Sequence, residues 1–74
     1  MVSKEKATEV KDKHSSEVLS LPGVWGIGVE KQPNGEWFIK ISVDQQGWKD
    51  QERFSKELEG VPVVVANTGG FRKL

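Results

Sequence analysis

The chain has 74 residues, with 11 basic and 11 acidic side chains and one histidine, so its formal net charge is zero. That balance supplies no overall field to draw in DNA, RNA or an anionic membrane. The absence of cysteine excludes disulfides, thiolate metal sites and thiol catalysis. A core this small supplies only about 3–5 kcal/mol of net stability, which leaves tight packing or self-association as supports.

One domain spanning residues 1–74 is expected, with 1–3 and 67–74 as loose ends. No run approaches the roughly 20 apolar residues that span a bilayer. The segment Met1-Val2-Ser3-Lys4-Glu5-Lys6 is charged where a secretory leader would be apolar. The expected setting is therefore cytoplasmic, without a membrane partner.

Residues 4–19 have the pattern of an amphipathic helix. Ser3 stands at the N-cap, and Ala7, Val10, His14, Val18 and Leu21 recur at helical spacing. Pro22 and Gly23 stop it. Residues 24–31 and 36–43 then alternate as an antiparallel hairpin around Pro33-Asn34-Gly35, with Gly35 in the left-handed position. A three-residue loop pairs Gln32 with Glu36, Val29 with Ile39, Ile27 with Ile41 and Trp25 with Val43. It puts the large aliphatics on one face, whereas a slip of one residue would scatter them.

A second helix is expected to begin at an Asp50 N-cap, with Trp48 just before it. Phe54 and Leu58 form an i,i+4 apolar pair, and Gly60 ends it. Val61-Pro62-Val63-Val64-Val65-Ala66 follows as a strand apolar on both faces. The order α-β-β-α-β implies an α+β two-layer sandwich, a three-stranded sheet with both helices on one face. Beyond Ala66, Phe71 has the means to fold back on the domain.

The segment Pro22-Gly23-Val24-Trp25-Gly26-Ile27-Gly28-Val29, with Gly60-Val61-Pro62-Val63 later, resembles small bacterial domains of unknown function that carry a Pro-Gly-Val-x-Gly-hydrophobic-Gly-Val pattern. That resemblance brings no activity with it. Leu19-Ser20-Leu21-Pro22-Gly23-Val24, followed by Ile27 and Val29, is also similar to the helix-to-hairpin segment of ferredoxin-like heavy-metal-associated domains. Those domains begin with a further strand and a Cys-x-x-Cys loop. This chain has neither, so metal transfer is not implied.

The remaining motifs are structural in their simplest reading. Gly23, Gly26 and Gly28 lie at the start of a strand and inside it, not between a strand and a helix where a phosphate loop would need them. His14 falls on the apolar stripe of the first helix and reads as a partly buried side chain at the edge of the core. The charges of residues 44–59 alternate in sign as a solvated face does. Trp25 and Trp37 are assigned to the core face.

What remains is the outer face of the sheet. Val24, Phe38, Val64 and Ala66 make it apolar, Lys40 and Glu30 border it, and Gly26 and Gly28 leave a shallow floor. Contiguous apolar surface of this kind marks interfaces. The residue types assemble no nucleophile–base pair or metal cluster, so an enzyme is not expected and no cofactor is called for. The expectation is a small interaction module that binds a protein partner, or itself as a weak homodimer, through the open face at Val24, Phe38, Lys40 and Val64 or through an edge strand. The alternative is a small-ligand or regulatory-ion sensor of ferredoxin-like type.

Overall fold

The computed structural model describes residues 1–67, and the expectation that Phe71 folds back lies outside the described residues. The chain is α+β with a mixed sheet. Helix α1 spans Lys4–Leu19. Strands β1 (Val24–Lys31) and β2 (Trp37–Val43) form the hairpin. Helix α2 (Gln45–Lys49) and a single 3-10 turn (Gln51–Arg53) lead to β3 (Glu57–Leu58) and β4 (Val61–Asn67). The sheet has four strands in the order β1-β2-β4-β3, where three were expected. β4 runs parallel to β2, and β3 runs antiparallel to β4.

Helix α1 begins where the sequence places it, because the Ser3 hydroxyl accepts the Lys6 N–H at 3.1 Å. Val2 packs against the core and its carbonyl accepts the Trp37 N–H at 3.1 Å. After the helix, the Val24 N–H reaches the Leu21 carbonyl at 3.3 Å across Pro22 and Gly23, with Gly23 at φ +84°. Pro followed by a left-handed Gly is the composition of a type II turn. Gly23 is also tightly placed, since a Cβ on it would stand 2.6 Å from the Gly47 nitrogen.

The hairpin loop matches the three-residue reading. The Gln32 N–H donates to the Glu36 carbonyl and the Gly35 N–H to the Gln32 carbonyl, both at 2.8 Å, and Gly35 sits at φ +91°. Val29 faces Ile39 and Ile27 faces Ile41 as expected, but the register breaks at the base of β1. Val24 pairs with Val43 and Gly26 with Ser42, so Trp25 is the extra residue of a β-bulge. Trp25 is therefore 60% exposed and not in the core. Trp37 is half-buried against the core, and the Lys4 ammonium lies over its ring at 5.6 Å from the centroid.

The second helix also differs from expectation. It is N-capped by Asp44, whose carboxylate accepts the Gly47 N–H at 2.9 Å, and it ends at Lys49. Asp50 caps no helix through its side chain. Phe54 and Leu58 share no helical face: Phe54 is buried after the 3-10 turn, and Leu58 belongs to β3. The β3–β4 link is a two-residue hairpin turn of Glu59 (φ +50°) and Gly60 (φ +84°), the positive pair that a type I′ turn requires.

The core draws on one face of the sheet. Ile39, Ile41, Val43, Val61 and Val63 bury against Ala7, Val10 and Val18 of α1 and against Phe54. Ile27, Val29 and Val65 border this cluster and remain half-buried. None of the described core residues comes from the opposite face.

Candidate functional site

That opposite face carries most of the residues singled out from the sequence. Alternation along β2 and the parallel register with β4 set Lys40 beside Val64 and Ser42 beside Ala66, while Phe38 lies opposite Glu30 on β1. Val64 is 46% exposed, and Phe38, Lys40 and Ala66 are half-buried. The Lys40 ammonium meets the Glu30 carboxylate at 3.3 Å across the two strands. Exposed pairs of this kind are worth little in stability, so the pair chiefly fixes where the two charges stand.

Gly26 and Gly28 leave a shallow hollow of about 310 Å³ beside that pair, walled by Glu30, Lys40 and Ser42. A Cβ at either glycine would meet nothing within 4 Å.

Val24 is the exception among the expected site residues. The bulge turns it out of the alternation, so that it pairs with Val43 and packs against the core. It does not belong with Phe38, Lys40 and Val64 on the open face. The bulge itself is tied to α2. Trp25 donates a side-chain hydrogen bond to Asp44, and with the Gly47 N–H as the larger cause this holds the Asp44 carboxyl below its ordinary range. Asp44 thus caps a helix and fixes the bulge at once.

A second cluster lies at the far end of α1. His14 Nε2 is 3.0 Å from a Glu59 carboxylate oxygen, and Nδ1 is 3.7 Å from Glu17. The Lys13 ammonium reaches the same Glu59 oxygen at 3.3 Å. These contacts, His14 first and Lys13 second, hold the Glu59 carboxyl below its ordinary value. Beside them runs a cleft of about 260 Å³ with His14, Glu17, Arg53 and Ser55 at its rim. Its floor is Val18, Leu21, Ile41, Phe54 and Leu58.

Sequence reasoning placed His14 correctly at the core's edge but read Glu59 as part of a solvated helix face. The available signal was the Glu59-Gly60 dipeptide between Leu58 and Val61, since a residue followed by Gly between apolar neighbours marks a tight hairpin.

Among the described residues, no three His, Asp or Glu side chains are grouped to hold a metal ion. No described helix is long and apolar enough to cross a membrane. Comparison with protein-family models, curated proteins and solved structures finds no match to this chain. What these surfaces can do is therefore argued from their own residues.

Proposed function

We propose that this chain is a small non-enzymatic interaction module that sets the open face of its sheet against a protein surface, either a partner's or that of a second copy. One observation carries the reading: Phe38, Val64 and Ala66 share a sheet face that contributes none of the described core residues, with Lys40 beside Val64 among them. Lys40 stands within that face, between Gly28 and Val64, and its ammonium meets the Glu30 carboxylate at 3.3 Å. Exposed apolar area around a paired charge supports the reading of this face as a protein contact.

Phe38→Asp tests it. A charge there would be desolvated in the middle of the contact, weakening association by roughly 2 kcal/mol or more. Stability of the isolated chain should change by only about 1 kcal/mol. Sedimentation and partner pull-down measure the first effect, and thermal melts of the dilute chain measure the second. Collapse of the fold, or association that is unchanged, would sink the reading.

A second reading, a small-ligand sensor, has one feature in its favour. The cleft between α1 and residues 53–58 combines an apolar floor with His14 and Arg53 at its rim. Glu17 shares that rim and Asp50 stands 3.8 Å from Arg53, so the combination suits a small molecule with an apolar body and a polar end. Titrating aromatic carboxylates while following the Arg53 and Leu58 resonances would separate it from the first reading.

A further inference from the structure

We infer that the outer edge of β1 pairs antiparallel with the same strand of a second copy, about a two-fold axis through Val29. The inference uses the strand's backbone edge and stands apart from the reading of the open face.

The backbone sets the parity. Gln32 and Glu36 form a hydrogen-bonded pair at the loop, with the Gln32 N–H at 2.8 Å from its acceptor. Bonded and non-bonded pairs alternate from there along an antiparallel ladder. Lys31–Trp37, Val29–Ile39 and Ile27–Ile41 are then the non-bonded pairs. The Trp37 N–H bears this out, since it points away from β1 and donates to Val2.

Ile27, Val29 and Lys31 accordingly direct their N–H and C=O groups outward, on a strand that ends the sheet. No turn, loop or cap among the described residues donates to them or accepts from them. Natural sheets cover or blunt such an edge. Here the bulge at Trp25 blunts only the start of the strand, and the ladder runs regularly from Gly26 to Lys31 without a proline.

Side chains give the same indication. Ile27 and Val29 stay half-buried although their partners Ile41 and Ile39 are 2% and 0% exposed, so the apolar layer has an uncovered margin at β1. Gly26 and Gly28 weaken a strand for no reason internal to the fold: neither has a positive φ, and neither has a neighbour that a Cβ would strike.

Charge selects both the occupant and the register. With Val29 on the axis, Ile27 of one copy faces Lys31 of the other, and each exchanges both backbone bonds. Glu30 falls opposite the second copy's Gly28, whose own cross-strand neighbour is Lys40. The bare glycine lets Glu30 reach over it toward that Lys40, which its own Glu30 already meets at 3.3 Å, so each ammonium is shared between two carboxylates. An axis through Gly28 would drive Lys31 against the bulge at Trp25, and an axis through Glu30 would oppose like charges. The strand is thus complementary to itself, as a two-fold contact requires.

Three substitutions test this in the full chain by sedimentation equilibrium, amide exchange and dilute thermal melts. The wild type should show a reversible monomer–dimer equilibrium, with protection of the Ile27, Val29 and Lys31 amides rising with concentration. Val29→Pro removes an outward N–H without touching the β1–β2 bonds and should raise the dissociation constant by roughly tenfold or more.

Gly28→Glu sets a carboxylate beside its own Lys40 and against the second copy's Glu30, and should weaken the dimer several-fold. Gly28→Lys reverses both contacts and should tighten it. Those opposite signs keep the proposal testable if Val29→Pro fails to fold. A chain that stays monomeric at every concentration overturns it. So does a dimer that responds to Phe38→Asp and to none of these three, which would assign self-association to the open face.

Discussion

Neighbouring residues of β2 stand in opposite conditions. Ile39 and Ile41 are 0% and 2% exposed under α1 and its surroundings, while Phe38, Lys40 and Ser42 on the reverse are half-buried with none of the described core beside them. The backbone ladder is common to both faces, so burial alone separates them. The difference teaches that one face of the sheet supplies the described core, while the other contributes no residue to it. Substitutions on the two faces should therefore separate folding from association.

The strongest way to break this comparison is Ile41→Ala. Removing a buried branched side chain leaves a cavity and should cost about 2–5 kcal/mol, a large share of the stability of so small a domain. Denaturant melts would measure it, and unchanged stability would mean that the faces are reversed.

Gly35→Val acts on the loop that sets the alternation. A β-branched residue at φ +91° is strained, and the expected loss is roughly 1–3 kcal/mol. A silent substitution would mean that the register does not depend on the left-handed glycine.

The smallest effect sharpens the comparison at the core's margin. The Glu59 carboxyl is held below its ordinary value of 4.5, chiefly by His14 and then by Lys13. A carboxyl with a depressed folded-state pKa adds stability above its unfolded value, and that contribution is lost as the pH falls through the folded value. The melting temperature of the wild type should therefore exceed that of Glu59→Gln near neutrality, and the gap should close as the pH drops below about 4.5. A gap constant across that window would remove the carboxylate from the account.

Local chemistry made half of this legible. Ser3, the apolar stripe of α1 and Pro33-Asn34-Gly35 each act within a few residues, and the structure agrees with them. The bulge was not legible from its immediate neighbours in sequence, and the contacts that flank it come from farther along the chain: Trp25 bonds to Asp44, and Gly23 lies close to Gly47. Strict alternation consequently put Val24 on the open face, and one extra residue returns it to the core.

The span from Phe54 to Leu58 misled for a different reason. A four-residue apolar spacing reads as one helical turn, yet here it straddles the end of a 3-10 turn and a short strand. The Lys56 carbonyl is taken by the Val63 N–H at 2.9 Å, which continues the β3–β4 hairpin ladder and draws this segment away from a helix. Of the candidate site, Phe38, Lys40 and Val64 followed from period-two reasoning alone, and that reasoning holds wherever the ladder is unbroken.

The position of β4 has a consequence for how the molecule is assembled. It is the last described element in sequence, yet it lies inside the sheet between β2 and β3. Helix α1 and the β1–β2 hairpin can form from contacts close in the chain, whereas the inner edge of β2 must wait for a strand from beyond the connecting segment 44–60. Closing that connection costs chain entropy before the parallel pairing rewards it. Seating this late central strand should then limit the rate of folding, because the side of β2 facing β4 gains its partner only at that step. The interval before closure is when this chain is most open to capture by other strands.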